Sequence, residues 1–154
     1  MSELWNLPIP LVGNRPPLNA NKRLNPFAHN RRVQDIKDAI GWRVREVKIP
    51  SLEHVTVQLV YQPQNRRRRD PSNLMPTQKA AVDGLVLAGV VPDDTPEFVT
   101  EEIPAVLDPN CGKSGLWLVV ESTPLLSPLV RREIDEDSRQ ERTQDARDRY
   151  EETS

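Results

Sequence analysis

Between His54 and Tyr61 the residues Val55, Val57, Leu59 and Tyr61 alternate with Thr56 and Gln58, and the chain then runs into Arg66-Arg67-Arg68-Arg69. Alternation places one set of side chains on one face of a pleated strand, so this segment is a half-buried strand. Four consecutive cations repel one another, so the continuation of the strand carries them outward. A folded chain that keeps such a run at the end of a strand usually has a polyanion to offset the cost. If the run stays extended, Arg66 and Arg68 line one side and Arg67 and Arg69 the other.

The remaining elements follow from period and punctuation. Leu4 to Val12 reads as a strand interrupted by prolines, which favours an edge or a bent entry, and residues 13 to 29 read as loop. Val33, Ile36, Ile40, Val44 and Val47 recur at helical spacing, which predicts an amphipathic helix over roughly Asn30 to Val47. Pro76 opens a second helix that Gly89 closes. Phe98 to Leu107 and Gly115 to Glu121 read as two strands joined by a hairpin loop. The expected fold is α+β: a small mixed β-sheet with two main helices in the order β-α-β-α-β-β, and a charged C-terminal tail.

At 154 residues the chain is long enough for one domain with a real core. Residues 1–127 are expected to form it, and 128–154 to be a charged extension, helical or disordered, because its few apolar groups cannot build a core. Residues 131–154 hold six Arg against nine Asp and Glu, which leaves 15 cations and 14 anions in the rest. The globular part is thus nearly neutral, and its basic character is local. Lys22-Arg23, Arg31-Arg32 and Arg66 to Arg69 are the clusters suited to phosphate contacts.

No apolar run approaches the roughly 18 residues of a membrane span, and Glu3 sits where a secretory signal would carry positive charge. The expectation is a cytoplasmic protein with no membrane partner. The single cysteine, Cys111, cannot complete a zinc site with His29 and His54, and both histidines read as ordinary surface or strand-end residues. Gly112-Lys113-Ser114 is not a P-loop end, since Leu107 stands where its first glycine should be. Trp5, Trp42 and Trp117 could stack on bases, but their places in a strand and a helix favour packing in the core.

Carboxylates near the arginines suggest a metal. Hydrolysing a phosphodiester needs an activated water and charge relief at the phosphorus oxygens and the leaving oxygen, which a divalent cation held by carboxylates supplies. Mg²⁺ prefers oxygen ligands and retained waters. Asp70 and Asp94, with Asp83 and Asp93 as further candidates, could ligate it, and Asn73 could add an amide oxygen. Lys79 would neutralise the phosphate. The alternative is a solvated charge run in which Lys79 and Asp83, four apart on a helix, simply pair.

Arg66-Arg67-Arg68-Arg69-Asp70-Pro71-Ser72-Asn73-Leu74, then Lys79-Ala80-Ala81-Val82-Asp83-Gly84-Leu85, then Ala88-Gly89-Val90-Val91-Pro92-Asp93-Asp94 resembles the signature of the RusA family of Holliday-junction resolvases. In that family an arginine-rich run leads into Asp-x-Asp-Asn-Leu, Lys-Ala, Asp-x-Leu-x-x-Ala-Gly and an Asp-Asp pair. The resemblance covers residues 66 to 94. It implies a homodimeric endonuclease, common in phages and prophages, that uses Mg²⁺, or Mn²⁺ in its place, to cut four-way DNA junctions. Asp70 would be the first catalytic aspartate, Asp94 the later one and Lys79 the catalytic lysine, with Arg66 to Arg69 and Asn73 on the DNA.

Two departures accompany the resemblance. Ser72 stands where the family has its second catalytic aspartate, and three residues, Met75-Pro76-Thr77 or their equivalent, are inserted before the lysine. Asp83 and Asp93 are the available substitutes for the lost carboxylate. A 12-residue helix is about 18 Å long, so Asp70 before it and Asp94 after it share a metal in one of two ways. Either the loop from Gly89 to Asp94 folds back along the helix, or Asp94 serves Asp70 of the partner subunit across a dimer interface.

Overall fold

Asn25 starts the first helix. Its Oδ1 accepts the Ala28 N–H at 2.8 Å, and Pro26, which needs no hydrogen-bond acceptor, follows at the first turn. Helix α1 therefore spans Pro26–Val47 and begins four residues before the Asn30 expected from hydrophobic spacing, because the cap and not the first apolar residue sets a helix start. Ile36, Ile40 and Val44 form its buried stripe. Trp42 lies about 200° round the helix from Ile40 at 3.6 residues per turn. It is 65% exposed, not packed in the core as its helix suggested. Lys48 closes the helix in the left-handed conformation.

The computed structural model describes residues 3–109 and 113–122; the extension 128–154 and Cys111 lie outside them. Among the described residues the strands are β1 (Leu4–Pro8), β2 (Val55–Gln62), β3 (Val99–Glu101), β4 (Ala105–Val106) and β5 (Gly115–Ser122), and the second helix is α2 (Met75–Leu87). They form one mixed sheet in the order β1-β5-β2-β3, with β4 also on β2. The fold is α+β, as expected. Strand β1, the proline-bounded one, is at the edge.

The strand pairing differs from a hairpin. Strand β5 pairs antiparallel with β2 through Val55↔Ser122 to Gln62↔Gly115, whereas β3 and β4 pair parallel with β2 on its other side. The segments flanking Asp108 to Ser114 therefore do not pair with each other; they straddle β2. The stretch from Phe98 to Leu107 is also two short strands and not one. Pro104 has no N–H for a ladder, and after the Glu102 N–H, which still donates to Val57 O at 2.9 Å, Ile103 and Pro104 interrupt the backbone ladder with β2.

A buried side chain fills that break. Gln78, fully buried on α2, accepts the Leu59 N–H at 2.9 Å through Oε1 and donates Nε2 to the Glu102 carbonyl at 2.8 Å. One amide thus does for β2 what the interrupted neighbour strand does not, and satisfies the Leu59 N–H that burial would otherwise leave unpaired. Cross-strand partners share a face, so Leu7, Val55, Val57, Leu59, Leu116, Leu118 and Val120 form one apolar surface, and both helices complete its core. The helices approach closely at Gly84, where a Cβ would stand 3.0 Å from Ile40 Cβ and 3.2 Å from Lys37 Cα.

Strands β1 and β2 are both antiparallel to β5, so they run the same way and the segments after them emerge at the same end of the sheet. The segment after α2 reaches the other end. There Leu52 N–H donates to Val90 O at 2.7 Å, Ser51 Oγ to Gly89 O at 2.8 Å, and Val55 N–H to Phe98 O at 2.9 Å. His54, a strand-end residue as expected, is buried there, with Nδ1 3.0 Å from Glu97 O and Nε2 2.8 Å from Thr100 Oγ1.

Candidate nucleic-acid interface

Tyr61, near the end of β2, organises the end of the sheet from which the arginines emerge. Its hydroxyl donates to the Asn14 carbonyl at 3.0 Å. Gly13 and Asn14 both have positive φ, 57° and 63°, and the Val12 and Arg15 backbones exchange two hydrogen bonds across them. This is a two-residue turn of the kind that demands φ above zero at both central positions, which Gly and Asn accept most readily. Arg15 therefore leaves a rigid turn that is anchored to the sheet.

The arginine run curls; it does not extend. Arg69 Nη1 donates to Asn65 O at 2.8 Å and Arg67 O at 3.2 Å, Nη2 donates to Asn65 Oδ1 at 2.8 Å, and the guanidinium lies 5.7 Å from the Tyr61 ring centroid. Arg69 is spent on shaping its own loop. As a result Arg67, Arg68 and Arg69 all face one cleft, and the two-sided alternation expected of an extended segment does not occur.

That cleft has a volume of about 670 Å³, and its wall includes Arg15, Lys22, Arg32, Arg67, Arg68 and Arg69 with Asp70 as the one carboxylate. Asn73 lines it as well. The opposite wall is held in place from α2: Thr77 Oγ1 donates to Leu18 O at 2.8 Å and accepts the Leu18 N–H at 3.2 Å, while Ala20 N–H donates to Asn73 O at 3.0 Å. Thr77, read from the sequence only as part of an insertion, ties the loop that carries Lys22 to the helix. Arg32 Nη1 donates to Pro17 O at 2.9 Å and braces the same loop.

Of the residues singled out in the sequence, the cleft gathers Lys22, Arg32, Arg67, Arg68, Arg69, Asp70 and Asn73. Arg23, Arg31 and Arg66 are exposed outside its lining, as is Lys79 on α2. Sequence reasoning missed Arg15 and Tyr61. The Gly13-Asn14 pair, a hairpin-turn signal between Val12 and Arg15, could have found the first.

Asp70 caps a short 3₁₀ helix, Pro71–Leu74. Its Oδ1 accepts both the Ser72 hydroxyl at 2.7 Å and the Ser72 N–H at 2.9 Å. These two bonds, with a smaller contribution from the Arg68 charge, hold the fully exposed carboxyl below its ordinary 3.8, against a weaker opposing effect of desolvation. Ser72 thus donates to Asp70 where a second aspartate would repel it.

The other candidate ligands are elsewhere. Asp93 and Asp94 lie on the segment at the start of β2, while Asp70 lies beyond its end; the seven steps from Val55 to Gln62 alone span about 23 Å at 3.3 Å per residue. The loop from Gly89 to Asp94 is bonded to Ser51 and Leu52 and does not fold back along α2. Asp83 is half-buried on α2, away from the cleft lining. Among the described residues no three His, Cys, Asp or Glu side chains gather as a metal site. Within one chain the carboxylates therefore do not fit the Mg²⁺ ligand set implied by the resemblance. Among the described residues no helix is long and apolar enough to cross a membrane. No protein-family model matches the chain, and no curated protein matches it.

Proposed function

We propose that this chain is a structure-specific endodeoxyribonuclease of the RusA type, acting as a homodimer on four-way DNA junctions in recombination, repair or phage DNA processing. The observation that carries the reading is the placement of Asp70 on a cleft with six cations in its wall. Cations so placed neutralise phosphate oxygens and the charge that develops on them during displacement. Ser72 bonds the charged form of Asp70 and so keeps the carboxyl ionised to lower pH than an ordinary aspartate. Since Oδ1 receives both Ser72 bonds, Oδ2 would be the oxygen to act in chemistry. A dimer that sets Asp94 of one subunit beside Asp70 of the partner subunit would supply the carboxylate pair that one chain keeps apart.

Cleavage of a synthetic four-way junction, beside a linear duplex of matched sequence and in the presence of Mg²⁺, tests the reading. Paired nicks near the branch that vanish in Asp70→Asn are expected; equal cutting of the linear duplex would sink it. Mixed dimers of Asp70→Asn and Asp94→Asn are expected to regain activity, and no gain above either homodimer would remove the shared site. A second reading, a junction-binding protein without cleavage, is favoured by the solitary Asp70. Tight junction binding with no product at any divalent ion would establish it.

A further inference from the structure

The cleft is hollow and small, and that bears on what form of nucleic acid enters it. At about 670 Å³ it lies within the roughly 300–1,000 Å³ range of pockets that enclose one small ligand. A duplex has the opposite shape. Its phosphates lie on a convex surface, and its major groove, about 12 Å wide, receives a protruding helix or ribbon and not a hollow. Proteins that hold unpaired strands instead use a cation-lined groove that tracks a single backbone.

The cations divide into two classes. Arg69 and Arg32 are bound to backbone carbonyls of their own walls and serve to shape them. Arg15, Lys22, Arg67 and Arg68 donate no side-chain hydrogen bond to the described residues, and they stand on two different segments. Arg15 leaves the Gly13-Asn14 turn that Tyr61 anchors, and Lys22 is on the loop that Thr77 anchors. Arg67 and Arg68 sit on the curl that Arg69 holds. Two cations thus face the cleft from each segment, on supports tied to the sheet and to α2.

We propose that this cleft is a binding site for an unpaired nucleic-acid strand, whose phosphates pass between Arg15 and Lys22 on one side and Arg67 and Arg68 on the other. The proposal rests on the DNA reading above and adds to it the element of a branched substrate that the cleft takes. Recognition is through backbone charge and is independent of base sequence. Four phosphate contacts to a single strand give a slope of log affinity against log salt of roughly −3.

Fluorescence anisotropy of the full chain with a labelled short oligothymidylate, beside a hairpin duplex carrying the same number of phosphates, tests it. The single strand is expected to bind more tightly, with a slope of roughly −3 that falls to roughly −1.4 in Arg15→Ala/Lys22→Ala and likewise in Arg67→Ala/Arg68→Ala. Arg67→Lys/Arg68→Lys is expected to keep the original slope, which separates charge from a folding defect. Equal or tighter binding of the duplex overturns the proposal, as does a slope unchanged in both alanine pairs. Displacement of the oligonucleotide by excess dTMP also overturns it and assigns the cleft to a free nucleotide. The two readings fail separately. Junction cleavage without a single-strand preference removes the strand site and leaves the nuclease; single-strand binding without cleavage of any junction removes the nuclease and leaves the strand site.

Discussion

The two ends of β2 are built differently. Beyond its last residue, side chains bonded to backbone carbonyls hold the loops, as Arg69 does at Asn65, Tyr61 at Asn14 and Thr77 at Leu18. Before its first residue, backbone N–H groups hold most of the chain, as at Leu52 and Val55. Cations collect at the first end, and Asp93 and Asp94 stand at the second. A motif continuous from Arg66 to Asp94 in the sequence is therefore divided in space, because α2 runs the length of the sheet between its halves. Adjacency in a motif does not establish adjacency in a site.

Gln78 holds this division in place, since it ties α2 to β2 and to Glu102 midway between the two ends. Gln78→Leu leaves the Leu59 N–H and the Glu102 carbonyl without their partner. It is expected to destabilise the fold by about 2 kcal/mol, from the roughly 1–3 kcal/mol typical of one buried unsatisfied group, the Leu59 N–H. Urea denaturation measures this, and a loss below about 1 kcal/mol would mean that another group closes the break.

The charge difference between the ends can be tested directly. Arg67→Ala/Arg68→Ala is expected to weaken duplex or junction binding about 30-fold near 0.15 M salt, two lost phosphate contacts at about 0.9 each in the salt slope. Asp93→Asn/Asp94→Asn is expected to leave affinity within about twofold, because those side chains are too far from the cleft for screened charges to act. An affinity rise well above that in the second variant would place the two ends on one DNA surface.

The smallest effect concerns Asp70. Ser72→Ala removes the stronger of the two Ser72 bonds and is expected to raise the Asp70 pKa towards 3.8. A carboxyl whose folded pKa is depressed contributes stability above its unfolded pKa and loses it as pH falls through the folded value. The variant is therefore expected to lose the Asp70 contribution at a higher pH, below about pH 4. Carboxyl NMR titration reads the shift, and an unmoved pKa would assign the depression to the Ser72 backbone N–H and the Arg68 charge, which the variant keeps.

Some of this was legible in order and period. The alternation of Val55, Val57, Leu59 and Tyr61 specified β2, the prolines around Leu4 to Val12 placed β1 at an edge, and Pro76 and Gly89 bracketed α2. These are local signals, set by the backbone preferences of a few neighbouring residues. The start of α1 was also written locally, in Asn25-Pro26, although hydrophobic spacing alone passed over it. Trp42 shows the limit of spacing in another way: membership of an amphipathic helix does not say on which side a residue lies until the buried stripe is known.

By itself the sequence determined the α+β class, the central strand and the run of cations at its end, because periodicity and like-charge repulsion act between residues close in the chain. Only the tertiary structure decided that β3 and β4 pair parallel with β2 while β5 pairs on its other side, that Arg15 and Lys22 line one cleft with Arg67 and Arg68, and that Asp70 stands apart from Asp93 and Asp94. Those relations depend on strand order and on long-range hydrogen bonds such as Gln78 to Leu59 and Thr77 to Leu18. No local pattern encodes which distant backbone group a buried polar side chain will satisfy.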